Sequence, residues 1–166
     1  MQRLYMVRHA KSSWGDFTTP DFDRPLNDRG KKDAPEMAKR LLDKKTAIDA
    51  FISSPAKRAK STCKAFCKVY DRDKDEIIFI EELYHASVET FIKVASRIDD
   101  KFQSAAIFSH NPGITDFVNT LVKDVNIDNM PTCAIFAVEI EAGSWKDFLS
   151  APKKFLFIDY PKMESE

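Results

Sequence analysis

The 166-residue sequence predicts an α/β protein, a three-layer α/β/α sandwich with a mostly parallel central sheet. Two observations carry this expectation. Short apolar runs of strand length alternate with longer stretches of helical period, and repeated β-α units pack as parallel strands with helices over both faces. One run, Ala105 to Phe108, is apolar at every position, as befits a strand covered on both sides. The length suits a single domain over residues 1–166, able to bury roughly 70% of its unfolded surface.

Taken in order, Leu4 to Val7 is the first strand. The polar segment from Lys11 to Asp33, with Pro20 and Pro25, reads as a long ordered loop. Ala34, Met37, Ala38, Leu41 and Leu42 then recur at i, i+3, i+4, i+7 and i+8, the apolar stripe of a helix. Asp33 and Glu36 have capping-box spacing, and Pro35 falls in the first turn. Ala50 to Ser53 is a second strand. Ser54-Pro55 reads as an N-cap followed by a first-turn proline, opening a helix that buries Ala59, Cys63, Phe66, Cys67 and Tyr70. Ile77 to Ile80 is a third strand. Ser87 to Ile98 is helical, with Val88, Phe91, Ile92, Ala95 and Ile98 inward. After the fourth strand, Ala105 to Phe108, Asn111-Pro112 caps a helix carrying Ile114, Phe117, Val118 and Leu121. Two late strands lie near Cys133 to Glu139 and Lys154 to Asp159, and the polar tail after Tyr160 is expected to fray.

Composition narrows the function classes. Lys+Arg and Asp+Glu both number 26, so net charge gives no reason to expect nucleic acid or an anionic membrane as partner. No apolar run is long enough for a membrane span, and the N-terminus lacks the apolar core of a signal peptide. Three cysteines, Cys63, Cys67 and Cys133, make a poor disulfide framework and fit a reducing, cytoplasmic setting. Cys63 and Cys67 have no His or Cys partner nearby in sequence, so no metal site is expected.

The chemistry lies at strand ends. The first strand runs into Arg8-His9, the second into Ser53-Ser54-Pro55 with Arg58 just beyond, and the fourth into Ser109-His110-Asn111-Pro112. In open α/β sheets ligands bind at the carboxyl ends of the strands. Three separate segments therefore deliver an Arg or a His to one edge, two of them together with a helix start that favours anions. Guanidinium forks pair with phosphate oxygens, and an imidazole nitrogen between them can attack phosphorus. Taken singly, Arg-His after a strand or Ser-Pro before a helix is ordinary surface or cap chemistry. Their coincidence in one topology points to a phosphoryl site.

These residues resemble the histidine phosphatase superfamily, which includes the phosphoglycerate mutases. The resemblance rests on Arg8-His9-Ala10, on Ser54-Pro55-Ala56-Lys57-Arg58-Ala59-Lys60-Ser61-Thr62, on Ser109-His110-Asn111-Pro112-Gly113, and on Asp23-Arg24-Pro25-Leu26-Asn27-Asp28-Arg29-Gly30 as the Pro-Leu-Thr-x-x-Gly-like element. Arg8 to Ser12 and Glu82 to Ser87 further resemble the SixA-like phosphohistidine phosphatases. The resemblance implies a phosphoglycerate mutase-like fold and a hydrolase in which His9 is transiently phosphorylated. Arg8, Arg58 and protonated His110 would hold the phosphoryl oxygens, Ser109 and Asn111 would shape the substrate site, and neither metal nor organic cofactor is implied.

Three departures matter. Ala10 stands where the signature has glycine, and Gly15 where the mutases have asparagine. At the spacing of the family's glutamate acid after Leu83 this chain has His85, so the candidate proton donors are His85, favoured by register, or Glu81 or Glu82. A phosphorylated imidazole leaves without the strong acid an alkoxide needs. A site lacking a carboxylic acid therefore suits phosphohistidine on a protein substrate, as in signal transduction. The alternatives are a general phosphomonoesterase of small phosphate esters, which needs an acid near residues 81–85, and a non-catalytic phosphate-binding regulatory module, which has no need of His9.

Overall fold

The computed structural model describes residues 1–163. Strand β1 (Gln2–Arg8) is buried along almost its whole length, which marks it as a central strand. The sheet runs β3-β2-β4-β1-β5-β6. Its other members are β2 (Ala50–Ser53), β3 (Ile78–Phe79), β4 (Ser104–Ser109), β5 (Ile135–Ile140) and β6 (Lys153–Asp159). Strands β1 to β4 pair in parallel, while β5 pairs antiparallel with both β1 and β6. The six-stranded, mostly parallel α/β architecture is as the sequence predicts. No helix among the described residues is long and apolar enough to cross a membrane.

Alternation along β1 divides the core, because successive side chains point to opposite faces. Leu4 and Met6 join Phe91, Ala95, Ile114 and Phe117 on the face covered by α3 (Val88–Ser96) and α4 (Gly113–Val118). Tyr5 and Val7 join Met37, Leu41, Cys63 and Phe66 on the face covered by α1 (Asp28–Asp43) and α2 (Lys57–Val69).

Several element starts differ from the sequence expectation. Helix α1 begins at Asp28, not at Asp33, because Asn27 is the cap and its side chain accepts the Gly30 amide. Asp33 is buried inside the helix and pairs with Arg29, and Pro35 lies in the helix interior. Gly30 permits the earlier start, since a Cβ there would lie 2.1 Å from the Lys11 carbonyl oxygen. Helix α2 begins at Lys57 behind Ala56, and Ser54 is not its cap. Asn111 does not cap α4 either; Pro112 occupies that place, and the Asn111 side chain accepts from Thr115. Ser87 does cap α3, accepting the Thr90 amide. Strand β3 is a short, exposed edge, and Leu42 is exposed.

The first residues of the tail expected to fray after Tyr160 are held by hydrogen bonds. Arg40 donates to Asp159 Oδ1 and to the carbonyls of Tyr160, Pro161 and Met163, fixing this stretch. The rest of the tail lies outside the described residues.

Candidate active site

Register brings the three segments together. Arg8 pairs across the ladder with Ser109, and Ser53 with Phe108, so β1, β4 and β2 end side by side. The His9 amide donates to the Ser109 carbonyl, and the Ser54 amide to the Phe108 carbonyl, extending the ladder into the loops. Because β5 runs the other way, it presents its amino end here. The Cys133 amide accordingly donates to the His9 carbonyl, and the Met130 carbonyl accepts Nη1 of Arg8 at 2.8 Å.

A cavity of about 320 Å³ opens at this edge, lined by Arg8, His9, Lys11, Ser12, Trp14, Arg24, Arg58, His110, Asn111 and Thr132. Of the residues proposed from sequence, it gathers Arg8, His9, Arg58, His110 and Asn111. The His9 and His110 ring centroids lie 5.1 Å apart, and both residues are over nine-tenths buried, at 6% and 7% exposure.

The backbone fixes the His9 tautomer. Nδ1 lies 2.7 Å from the Ala10 carbonyl, an acceptor only, so Nδ1 carries the hydrogen and Nε2 keeps its lone pair in the neutral ring. Burial, and then the nearby Arg58, Arg8 and Arg24, depress the His9 pKa to about 4, although the Ala10 bond opposes the shift. The Ala10 amide in turn donates to Thr62 Oγ1, which donates to the Arg58 carbonyl. This chain ties the His9 loop to the first turn of α2. Ala10 itself is fully buried, so the methyl group in place of the signature glycine is accommodated.

In the empty site the surroundings of His110 disfavour a protonated ring. Its Nε2 lies 2.7 Å from Ser54 Oγ, and Nδ1 is buried without a hydrogen-bond partner among the described residues. Burial first, then His9 and Arg58, push its pKa down to about 2. His110 is therefore neutral until an anion enters. Ser54 thus lies beneath His110 and accepts the Ala56 amide, rather than capping α2.

Two residues expected to shape the substrate site act at one remove. Ser109 does not line the cavity: its hydroxyl is buried and donates to the Leu83 carbonyl. Asn111 lines it, but its amide donates to Asn129 and to the Met130 carbonyl, steadying the loop that receives Arg8. His85 is exposed, stacks on Tyr84 at 4.0 Å, and lines a neighbouring cavity of about 380 Å³ that shares His110 and Asn111. Glu81 and Glu82 are exposed on the 3-10 turn that precedes it and line neither cavity.

Sequence reasoning gave no site role to Arg24, Trp14, Lys11 or Thr132. Arg24 is mostly buried, donates to Ser12 Oγ and to the Ser13 carbonyl, and lies under Trp14 at 4.2 Å. Its only sequence signal was its place beside Pro25-Leu26. Among the described residues no cluster of His, Cys, Asp or Glu has metal-binding geometry. The arrangement provides three guanidiniums and a lysine around an imidazole whose reactive nitrogen is unprotonated, a receptacle for a phosphoryl dianion.

A sequence model described as histidine phosphatase superfamily (branch 1) matches residues 4–84. The amino-terminal part of the chain, with Arg8, His9 and Arg58, is thus similar to the histidine phosphatase superfamily. Sequence relatives include the Mycobacterium tuberculosis protein Rv1276c, 28% identical over 150 residues covering 85% of this chain and 90% of that one. An Arabidopsis thaliana chloroplastic protein is 39% identical over 64 residues, which cover 39% of this chain and 29% of the relative. Among solved structures, the protein histidine phosphatase SixA complexed with tungstate has a TM-score of 0.80 at 20% identity, covering 96% of this chain and 97% of that one. The mycobacterial glucosyl-3-phosphoglycerate phosphatase Rv2419c has a TM-score of 0.70 at 14% identity, covering 93% and 96%. The fold is therefore shared with these solved structures, in the phosphoglycerate mutase-like arrangement expected from sequence.

Proposed function

We propose that this chain is a histidine phosphatase working through a phosphohistidine on His9, and that its substrate is phosphohistidine on another protein. The observation that carries this reading is the make-up of the His9 cavity: Arg8, Arg24, Arg58 and Lys11 surround two imidazoles, and no carboxyl group lines it among the described residues.

Nε2 of His9 attacks phosphorus in line, forming one P–N bond as the bond to the leaving nitrogen breaks. Arg8, Arg58 and His110 contact the equatorial oxygens. The incoming dianion offsets the surrounding positive charge and lifts the His110 pKa, so that the ring gains its proton with the substrate bound. The departing imidazole takes a proton from water. An alkoxide would need a stronger acid, and Glu81 and Glu82 lie away from the cavity. Water then attacks phospho-His9, releasing phosphate and restoring the free ring. Three free thiols are in keeping with a cytoplasmic setting.

The test is phosphate release by wild type and His9→Ala from a phosphohistidine-bearing protein and from p-nitrophenyl phosphate. The expected result is much faster clearance of phosphohistidine than of the ester by wild type, and neither reaction by the variant. Preference for the ester assigns small phosphate esters instead. Equal behaviour of wild type and variant removes His9 as nucleophile and favours a binding module.

A further inference from the structure

Asp21 opens the 3-10 turn Asp21–Asp23 in the loop after β1, does not line the His9 cavity, and has a half-exposed side chain. Four hydrogen bonds from other side chains nevertheless converge on it. Arg58 donates Nη1 to its main-chain carbonyl at 2.7 Å and Nη2 to Oδ2 at 3.1 Å. Arg24 donates Nη1 to Oδ1 at 2.9 Å, and the Tyr84 hydroxyl donates to Oδ2.

The geometry of Arg58 gives these bonds their significance. A guanidinium is a rigid plane with five N–H donors, so two bonds to one residue fix its orientation and leave the remaining donors directed elsewhere. Arg58 is 7% exposed and makes no other side-chain hydrogen bond among the described residues. Asp21 is therefore its only polar anchor there. Through Arg24 and Tyr84 the same carboxylate also joins two walls: Arg24 lines the His9 cavity, and Tyr84 lies over Arg58 at 5.9 Å and against His110 at 5.6 Å.

We propose that Asp21 is the positioning residue of this site, presetting Arg58 for the phosphoryl group while linking Arg24 and Tyr84 to it. The proposal rests on the phosphatase reading above and assigns Asp21 no contact with substrate. Nor is Asp21 the missing acid. The Tyr84 hydroxyl, followed by Arg24 and Arg58, holds its carboxyl far below the usual range, so it carries no proton to give at neutral pH.

The experiment is a double-mutant cycle on the full chain with Asp21→Ala, Arg58→Ala and the pair, with Asp21→Asn as the conservative variant. The readouts are kcat and KM on a small phosphoramidate and calorimetric affinity for inorganic phosphate, with thermal unfolding to show that each variant is folded. Misplacing a reacting group's partner costs up to about 100-fold, so Asp21→Ala is expected to lose roughly 10- to 100-fold in kcat/KM and to weaken phosphate binding. In the Arg58→Ala background the same change is expected to cost under about 3-fold, because the group it positions is gone. Asp21→Asn, which keeps the main-chain carbonyl and one side-chain acceptor, is expected to retain more activity than Asp21→Ala. Equal losses in both backgrounds, or an Asp21→Ala protein matching wild type, overturn the proposal. If Asp21→Ala does not fold, the cycle is run with Asp21→Asn. If wild type binds phosphate without turning over the phosphoramidate, the phosphatase reading falls and the binding cycle decides Asp21 alone. If wild type does not bind phosphate, both fall.

Discussion

Nδ1 of His9 lies 2.7 Å from the carbonyl oxygen of Ala10, the next residue, and this bond decides which ring nitrogen keeps its lone pair. A carbonyl only accepts, so the proton sits on Nδ1 and the lone pair, which the proposed mechanism uses as nucleophile, on Nε2. Since the pKa is held at about 4, the neutral Nδ1–H tautomer is expected to persist from pH 5 to 8. Nitrogen-15 chemical shifts of the ring over that range check this. A ring that titrates near pH 6.5, or that carries its proton on Nε2, contradicts it.

The same burial sets a pH dependence of stability. His9 and His110 bind protons less readily folded than unfolded, where a histidine pKa is about 6.5. Between that value and the folded pKa the unfolded chain holds more protons, so stability falls as pH falls. His9 alone contributes a loss on the order of 3 kcal/mol from pH 6.5 down to pH 4, at 1.36 kcal/mol per unit. His110 extends the loss to lower pH. Urea unfolding at pH 7.5, 6 and 4.5 measures the slope, and His9→Gln should flatten it. A wild-type slope no steeper than the variant's contradicts the account.

Arg8 donates Nη1 to the Met130 carbonyl and lines the cavity. Lysine keeps the charge but loses the planar pair of donors. Arg8→Lys is therefore expected to lower kcat/KM by about 100-fold, a cost of about 2.7 kcal/mol in transition-state binding, with little change in unfolding midpoint. A variant within a few-fold of wild type means that Arg8 acts as a point charge only.

How much of this the sequence displayed depended on strand direction. Arg8, His9, Arg58 and His110 were legible because each follows a parallel strand, and parallel strands end on one edge. The Met130–Cys133 side was not, because an antiparallel strand presents its amino end there and no local pattern announces which late strand reverses. Arg24 and Asp21 were hidden for another reason. They sit in a loop whose path is set by bonds to residues far along the chain, such as Asp21 to Tyr84. The helix starts misled because Ser54 and Asn111 look like caps, yet their side chains hold His110 and the 129–130 loop. The neutral state of His110 in the empty site follows from burial beside His9 and Arg58, which sequence order does not reveal.

Gly113 begins α4 against the loop that carries His85. A Cβ there would lie 2.0 Å from the Ala86 carbonyl oxygen and 3.3 Å from the Phe91 ring. The first contact is with backbone, which cannot rotate away. Gly113→Ala is therefore expected to displace the 84–87 segment and destabilise the protein by about 1–3 kcal/mol, the usual range for overpacking. Denaturant unfolding checks this, and an unchanged midpoint means that the two loops separate freely.

His85 stacks on Tyr84 and is exposed in the cavity beside the one that contains His9. From that place it contributes little to expelling an imidazole, which leaves with a proton from water. An alkoxide makes the greater demand on any nearby acid. His85→Ala is therefore expected to stay within about 3-fold of wild type on a phosphoramidate, against the 100- to 10,000-fold typical of a lost general acid. Parallel assays with p-nitrophenyl phosphate and with an alkyl phosphate, whose leaving groups differ widely in basicity, separate the roles. A loss that grows with leaving-group basicity identifies His85 as a proton donor reached through water. A uniform, small loss identifies it as part of the cavity wall with no role in proton transfer. A large loss on the phosphoramidate itself places His85 in the catalytic set, and the acid-free reading of the site then fails.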